Sequence, residues 1–156
     1  MSIEDDIRFL ERVPTLSLLG QQALRIIAIG AETRYVHTGD PLFRAGERAD
    51  CAYVVQEGSF KVTPGTADPA RPEMVVGPGR ILDELAFLVE TTRLDSAHAQ
   101  EPSTVIRIPR SLFLKMLDGF PDAAVRLREA MAARTERVSG ELQRVAKALG
   151  DTPLRR

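Results

Sequence analysis

The chain has one cysteine and two histidines among its 156 residues, and those shortages exclude several classes of function. Cys51 alone cannot close an internal disulfide, which predicts a reducing compartment. A metalloenzyme built on short strands needs clustered histidines with a carboxylate, and His37 and His98 stand apart, so no metal is expected. No run reaches the roughly 18 apolar residues of a membrane span. The opening Met1–Asp6 is acidic and lacks the basic-then-apolar layout of an export signal. Together these absences predict a cytoplasmic protein with no membrane attachment. Charge of one sign is missing as well: the net charge is −1, so no global field draws the chain to nucleic acid.

What is present fits one globular domain. Hydrophobic residues make up 44% and charged residues 28%, ordinary values for a chain long enough to bury a core. Ile7, Phe9 and Leu10 among charges predict a short helix over 4–12, stopped by Pro14. Leu19, Ala23, Ile26 and Ile27 predict another over 18–29, with Gly30 as its stop. From Thr33 to Ile108 the texture is short β-favouring runs broken by turn residues, which predicts an antiparallel roll or barrel. The polar stretch Thr66–Pro72 is expected at a hairpin tip. One helical interruption is expected over Leu82–Val89, with Asp83 able to cap it. Helix returns over Arg110–Leu117, and Pro121 is placed to open a last, long helix.

That last helix carries Leu127, Met131, Thr135, Val138, Leu142, Val145 and Leu149 at steps of three and four, the spacing of a coiled-coil seam. A homodimer through residues 127–149 is expected; packing of the helix on its own roll is the alternative. Its arginines alternate with glutamates, as on a solvated face.

The order of these fragments resembles the cyclic-nucleotide-binding family of catabolite-activator-like proteins and protein kinase A regulatory subunits. Asp40–Glu47, the strand and turn Asp50–Gly58, the turn Val76–Gly79, the cassette Asp83–Phe87 followed by Arg93, and the closing strand Glu101–Pro109 all carry it. The resemblance implies a mainly β fold with flanking helices. Its centre would be an antiparallel β-roll, a jelly-roll or double-stranded β-helix, over 31–109 with a phosphate-binding cassette at 79–97. N-terminal helices (1–30) and two C-terminal helices (110–150) would complete one domain. It implies binding, not catalysis, without a cofactor: cyclic AMP or cyclic GMP would be sensed and the C-terminal helices would shift against a protein partner. Arg93 would take the phosphate, Glu84 the ribose hydroxyl, and the N–H groups of Leu85, Ala86 and Ser96 would complete the cradle. The last helix would close as a lid, with Thr135 placed to hydrogen-bond the base. The family's transcription factors carry a helix-turn-helix after that helix, which is not found here, so no direct DNA binding is expected.

Two positions depart from the family. Asp83 stands where glycine is usual, and Asp95 where a small residue is usual. Both bring carboxylates to the phosphate seat. Asp83 can instead cap the short helix, and Asp95 can pair with Arg93 and occupy its fork. The alternative reading is therefore a decayed cassette serving as a ligand-independent dimeric module. Cys51, with no cation signal nearby in sequence, is expected to be a buried, inert thiol. His37 is expected in solvent and His98 in a structural place.

Overall fold

The computed structural model describes residues 2–66 and 71–133. Helix α1 (Ile3–Leu10) starts at a reciprocal cap. The Asp5 N–H donates to Ser2 Oγ at 3.2 Å, and the Ser2 N–H donates to Asp5 Oδ2 at 3.4 Å, which satisfies two donors that helix geometry leaves without partners. A single 3₁₀ turn (Leu16–Leu18) leads to α2 (Gln21–Gly30). This helix buries Ala23, Leu24, Ile27 and Ala28 and leaves Ile26 exposed, a face rotated from the one expected. Gly30 is its last residue and has no left-handed stop; the methyls of Leu112 lie 2.7 and 3.0 Å from where a Cβ would be.

Ten strands follow. They are β1 (Glu32–Val36), β2 (Pro41–Phe43), β3 (Arg48–Ala49), β4 (Cys51–Glu57), β5 (Phe60–Pro64), β6 (Met74–Val76), β7 (Ile81–Leu82), β8 (Thr91–Thr92), β9 (Asp95–Ala99) and β10 (Ser103–Pro109). They form two four-stranded antiparallel sheets, in order β1-β10-β4-β7 and β2-β9-β5-β6, with β3 and β8 paired apart. Helix α3 (Arg110–Gly119) comes next. A further helix, α4, is described over 121–133 and opens at Pro121 as expected.

Strand β4 shows how the layers are built. Residues 51–56 are all buried, yet side chains alternate across a strand. Ala52 and Val54 join Leu24, Ile27, Phe113 and Leu127 in the core under the helices. Cys51, Tyr53 and Val55 join Phe43, Phe60 and Val76 inside the roll. The first sheet is therefore a middle layer with a core on each face, and that explains its near-continuous apolar run. The turn between β4 and β5 needs Gly58, because its φ is +87° and a Cβ there would lie 2.1 Å from Ser103 Oγ. β5 and β6 pair antiparallel; residues 67–70 of the expected hairpin tip, Thr66–Pro72, lie outside the described residues. The flanking helices and antiparallel roll of the expected fold are thus present.

The seam expected on the last helix is described only at its start. Leu127 is buried and Met131 packs against the core of its own chain. Thr135, Val138, Leu142, Val145 and Leu149 lie outside the described residues. No helix among the described residues is long and apolar enough to cross a membrane.

Candidate functional site

The interruption of the roll is shorter than expected. Ile81 and Leu82 are strand, paired with Val54 and Tyr53, and only Glu84–Phe87 form a 3₁₀ turn. The break lies at Asp83, whose backbone is left-handed at φ 62° and ψ 55°. Aspartate tolerates that region better than most residues. Its side chain makes no cap bond, which corrects the capping expectation. The carboxylate goes to Arg93 instead.

Arg93 follows β8, and its backbone is tied to the loop before β3. Its N–H donates to Glu47 O at 2.7 Å, and its carbonyl accepts from Gly46 N–H at 2.8 Å. The side chain runs into the roll and is 3% exposed. Nη1 donates to Cys51 O at 2.8 Å and to Asp83 Oδ2 at 2.9 Å, and Nη2 lies 3.3 Å from Cys51 Sγ. The guanidinium sits 4.5 Å from the Phe43 ring centroid and 5.5 Å from that of Tyr53, within cation–π range. Nε has no hydrogen-bond partner among the described residues. Burial pushes the Tyr53 hydroxyl above its ordinary range, with the neighbouring Cys51 adding to the effect. Cys51 is buried as expected, but the expectation of no cation nearby is corrected, since Arg93 lies against its sulfur.

Asp95 does not reach Arg93. It pairs with Arg71 across the mouth of the β5–β6 hairpin, beside a cleft of about 270 Å³ lined by Val62, Pro64, Pro72 and Met74. Asp83 thus takes the part expected of Asp95, because the left-handed turn at 83 aims that carboxylate inward while β9 holds Asp95 opposite Pro64.

The other cassette residues are spread around this centre. Glu84 begins the 3₁₀ turn and lines a cavity of about 150 Å³ with Phe87, Leu88, Phe113 and Leu127, on the side facing the helices. Leu85 is exposed. The Ala86 N–H closes the turn onto Asp83 O at 3.0 Å. Ser96 Oγ accepts from Ala45 N–H at 2.9 Å, and Ser96 stands opposite Thr63 in the β5–β9 ladder. Thr135 lies outside the described residues. His37 is exposed and His98 half-buried, and no group of three metal-ligating side chains occurs among the described residues. Sequence reasoning missed Phe43, Tyr53 and Cys51 as neighbours of Arg93. Alternation along β4 does place Cys51 and Tyr53 on one face, but nothing local says that Arg93 arrives there.

Solved structures share this architecture. A cyclic nucleotide-binding-like protein from Brucella abortus is 41% identical, with a TM-score of 0.63 over 73% of this chain and 98% of its own. The N-terminal domain of a transcriptional regulator from Streptomyces coelicolor, at 24% identity, superposes with a TM-score of 0.75 over 86% of this chain and 94% of its own. The Neurospora crassa lysophospholipase nte1 is 27% identical over 100 residues, 64% of this chain, but the match spans only 7% of that protein. Residues 33–120 match the family model of the cyclic nucleotide-binding domain. The chain therefore belongs to the cyclic nucleotide-binding domain family.

Proposed function

We propose that this chain is a non-catalytic regulatory module of its family in which Asp83 takes the place of a nucleotide phosphate on Arg93, so that the module works without cyclic nucleotide. One observation carries this reading: Arg93, 3% exposed, already shares Nη1 between a carboxylate 2.9 Å away and a backbone carbonyl. An arginine fork recognises phosphate through charge and paired donors, and here the charge faces Asp83 and Nη1 is committed to two internal acceptors. Calorimetric titration with cyclic AMP and cyclic GMP tests it. The chain should bind neither in the micromolar range, whereas Asp83→Gly should bind at least one. Micromolar binding by the unaltered chain overturns the reading.

The sensor is the second reading, and the backbone at Asp83 favours it. The left-handed conformation at Asp83 is one that the glycine usual at that position would also adopt, which supports a cassette whose main obstacle to ligand is the Asp83 carboxylate. Cyclic AMP or cyclic GMP would then displace Asp83 and bind weakly through Arg93, Glu84 and the N–H groups of Leu85 and Ser96, with Thr135 on the lid. Either module would act in the cytoplasm through a protein partner or a second copy of itself. Because Leu127 is buried in its own core, a dimer seam would begin beyond it. Sedimentation should show a dimer that Val138→Glu disperses; a monomer with or without that change rules the seam out.

A further inference from the structure

The first residue of α3 has the wrong charge for its position. A cation at a helix N-terminus meets the positive end of the helix dipole, and Pro109 ahead of it makes no side-chain cap bond. Yet Arg110 Nη1 lies 2.9 Å from Ala49 O, 3.0 Å from Val89 O and 3.3 Å from Ala86 O, and its backbone N–H donates to Asp50 O at 2.8 Å. Those carbonyls supply the negative potential that the helix end does not. They also belong to particular places. Ala86 lies in the turn that follows Asp83 and Val89 just beyond it, and Ala49 lies on β3, whose partner β8 leads into Arg93. A second contact runs beside the first: the Phe87 and Phe113 rings stack at 4.2 Å and 13°. Phe113 and Met116 of α3 share a core with Leu127 of α4.

We propose that Arg110 is a positioning residue that makes the cassette turn and α3 move as one piece, so that whatever occupies Arg93 is read out in the position of α3. This rests on Asp83–Arg93 being the contact that sets the state of the site. The ring stack alone would not suffice, because apolar contact is non-directional and two stacked rings can slide. Hydrogen bonds are directional, and Nη1, whose two hydrogens face the carbonyls of Ala49, Ala86 and Val89, ties the start of α3 to both segments at set distances.

The test compares backbone amide chemical shifts of the full chain with and without Asp83→Asn, once with Arg110 intact and once in Arg110→Met. With Arg110 intact, Asp83→Asn should shift the amides of Phe113 and Met116 as well as those of Ala86 and Leu88. In Arg110→Met the cassette amides should still shift, and the α3 response should fall to less than half. A merely structural Arg110 would lower the melting temperature but leave the transmitted shift intact. Equal α3 shifts in both backgrounds, or none with Arg110 present, overturn the proposal. If Arg110→Met does not fold, Arg110→Gln, which keeps an amide donor on a shorter arm, carries the same comparison. The perturbation is a substitution, so the outcome does not depend on nucleotide. Micromolar nucleotide binding by the unaltered chain would overturn the ligand-independent reading and leave this one standing.

Discussion

Replacing Asp83 by asparagine separates charge from shape at the centre of the site. Asparagine tolerates the left-handed backbone found there, and its amide oxygen can still accept one bond from Arg93. Only the negative charge is lost. The Arg93 side chain is 3% exposed and that of Asp83 19%, so little solvent is at hand to replace the pairing. Breaking a buried pair costs about 3–5 kcal/mol; with one neutral hydrogen bond retained, about 2–3 kcal/mol is expected. For a domain of this size each kcal/mol lowers the melting temperature by about 2–4 °C, which gives a fall of about 4–12 °C. The unpaired guanidinium should then welcome an anion. Cyclic nucleotide at about 100 times its dissociation constant would restore about 2.7 kcal/mol, so the variant's loss should be largely recovered. Differential scanning calorimetry with and without cyclic AMP and cyclic GMP reads both effects. If Asp83→Asn melts with the parent and gains nothing from either nucleotide, Asp83 is a bystander and the argument fails.

Three further outcomes follow from the same geometry. Asp95→Ala should change nucleotide affinity and stability by less than about 1 kcal/mol, since its pair with Arg71 is partly exposed; a titration in which it matters more than Asp83→Asn would restore the assignment made from sequence. Stability should be level through neutral pH and fall as pH rises above about 10. The unfolded Tyr53 ionises there while the buried one, with its raised pKa, stays neutral, so the unfolded state gains; Tyr53→Phe should remove that loss in pH-dependent melting, and a loss unchanged by it refutes the attribution. Gly58→Ala should cost about 2–4 kcal/mol from the clash with Ser103 and the left-handed backbone, and a denaturant midpoint equal to the parent's would contradict the packing.

Local signals along the chain laid out most of the elements and their order, though β7 takes Leu82 from the helical interruption expected there. Period-two alternation, turn residues and the flanking helical stripes are local signals, and they placed the short strands between Thr33 and Ile108 with an interruption expected over Leu82–Val89. The resemblance to the family pointed to Arg93 and Glu84, and set Asp83 and Asp95 apart as departures from it. It could not say which carboxylate meets Arg93, because that depends on two long-range placements. The left-handed turn at Asp83 aims one acid into the roll, and the β5–β9 register holds the other beside Arg71. It equally gave no sign that Cys51, 42 residues before Arg93, would offer both a carbonyl and a sulfur to that arginine. Nor did it explain an arginine at the start of α3, whose carbonyl partners lie 21, 24 and 61 residues away. Contacts of that separation follow from strand pairing and from the packing of helices onto a sheet that is buried on both faces, and only the folded chain contains them.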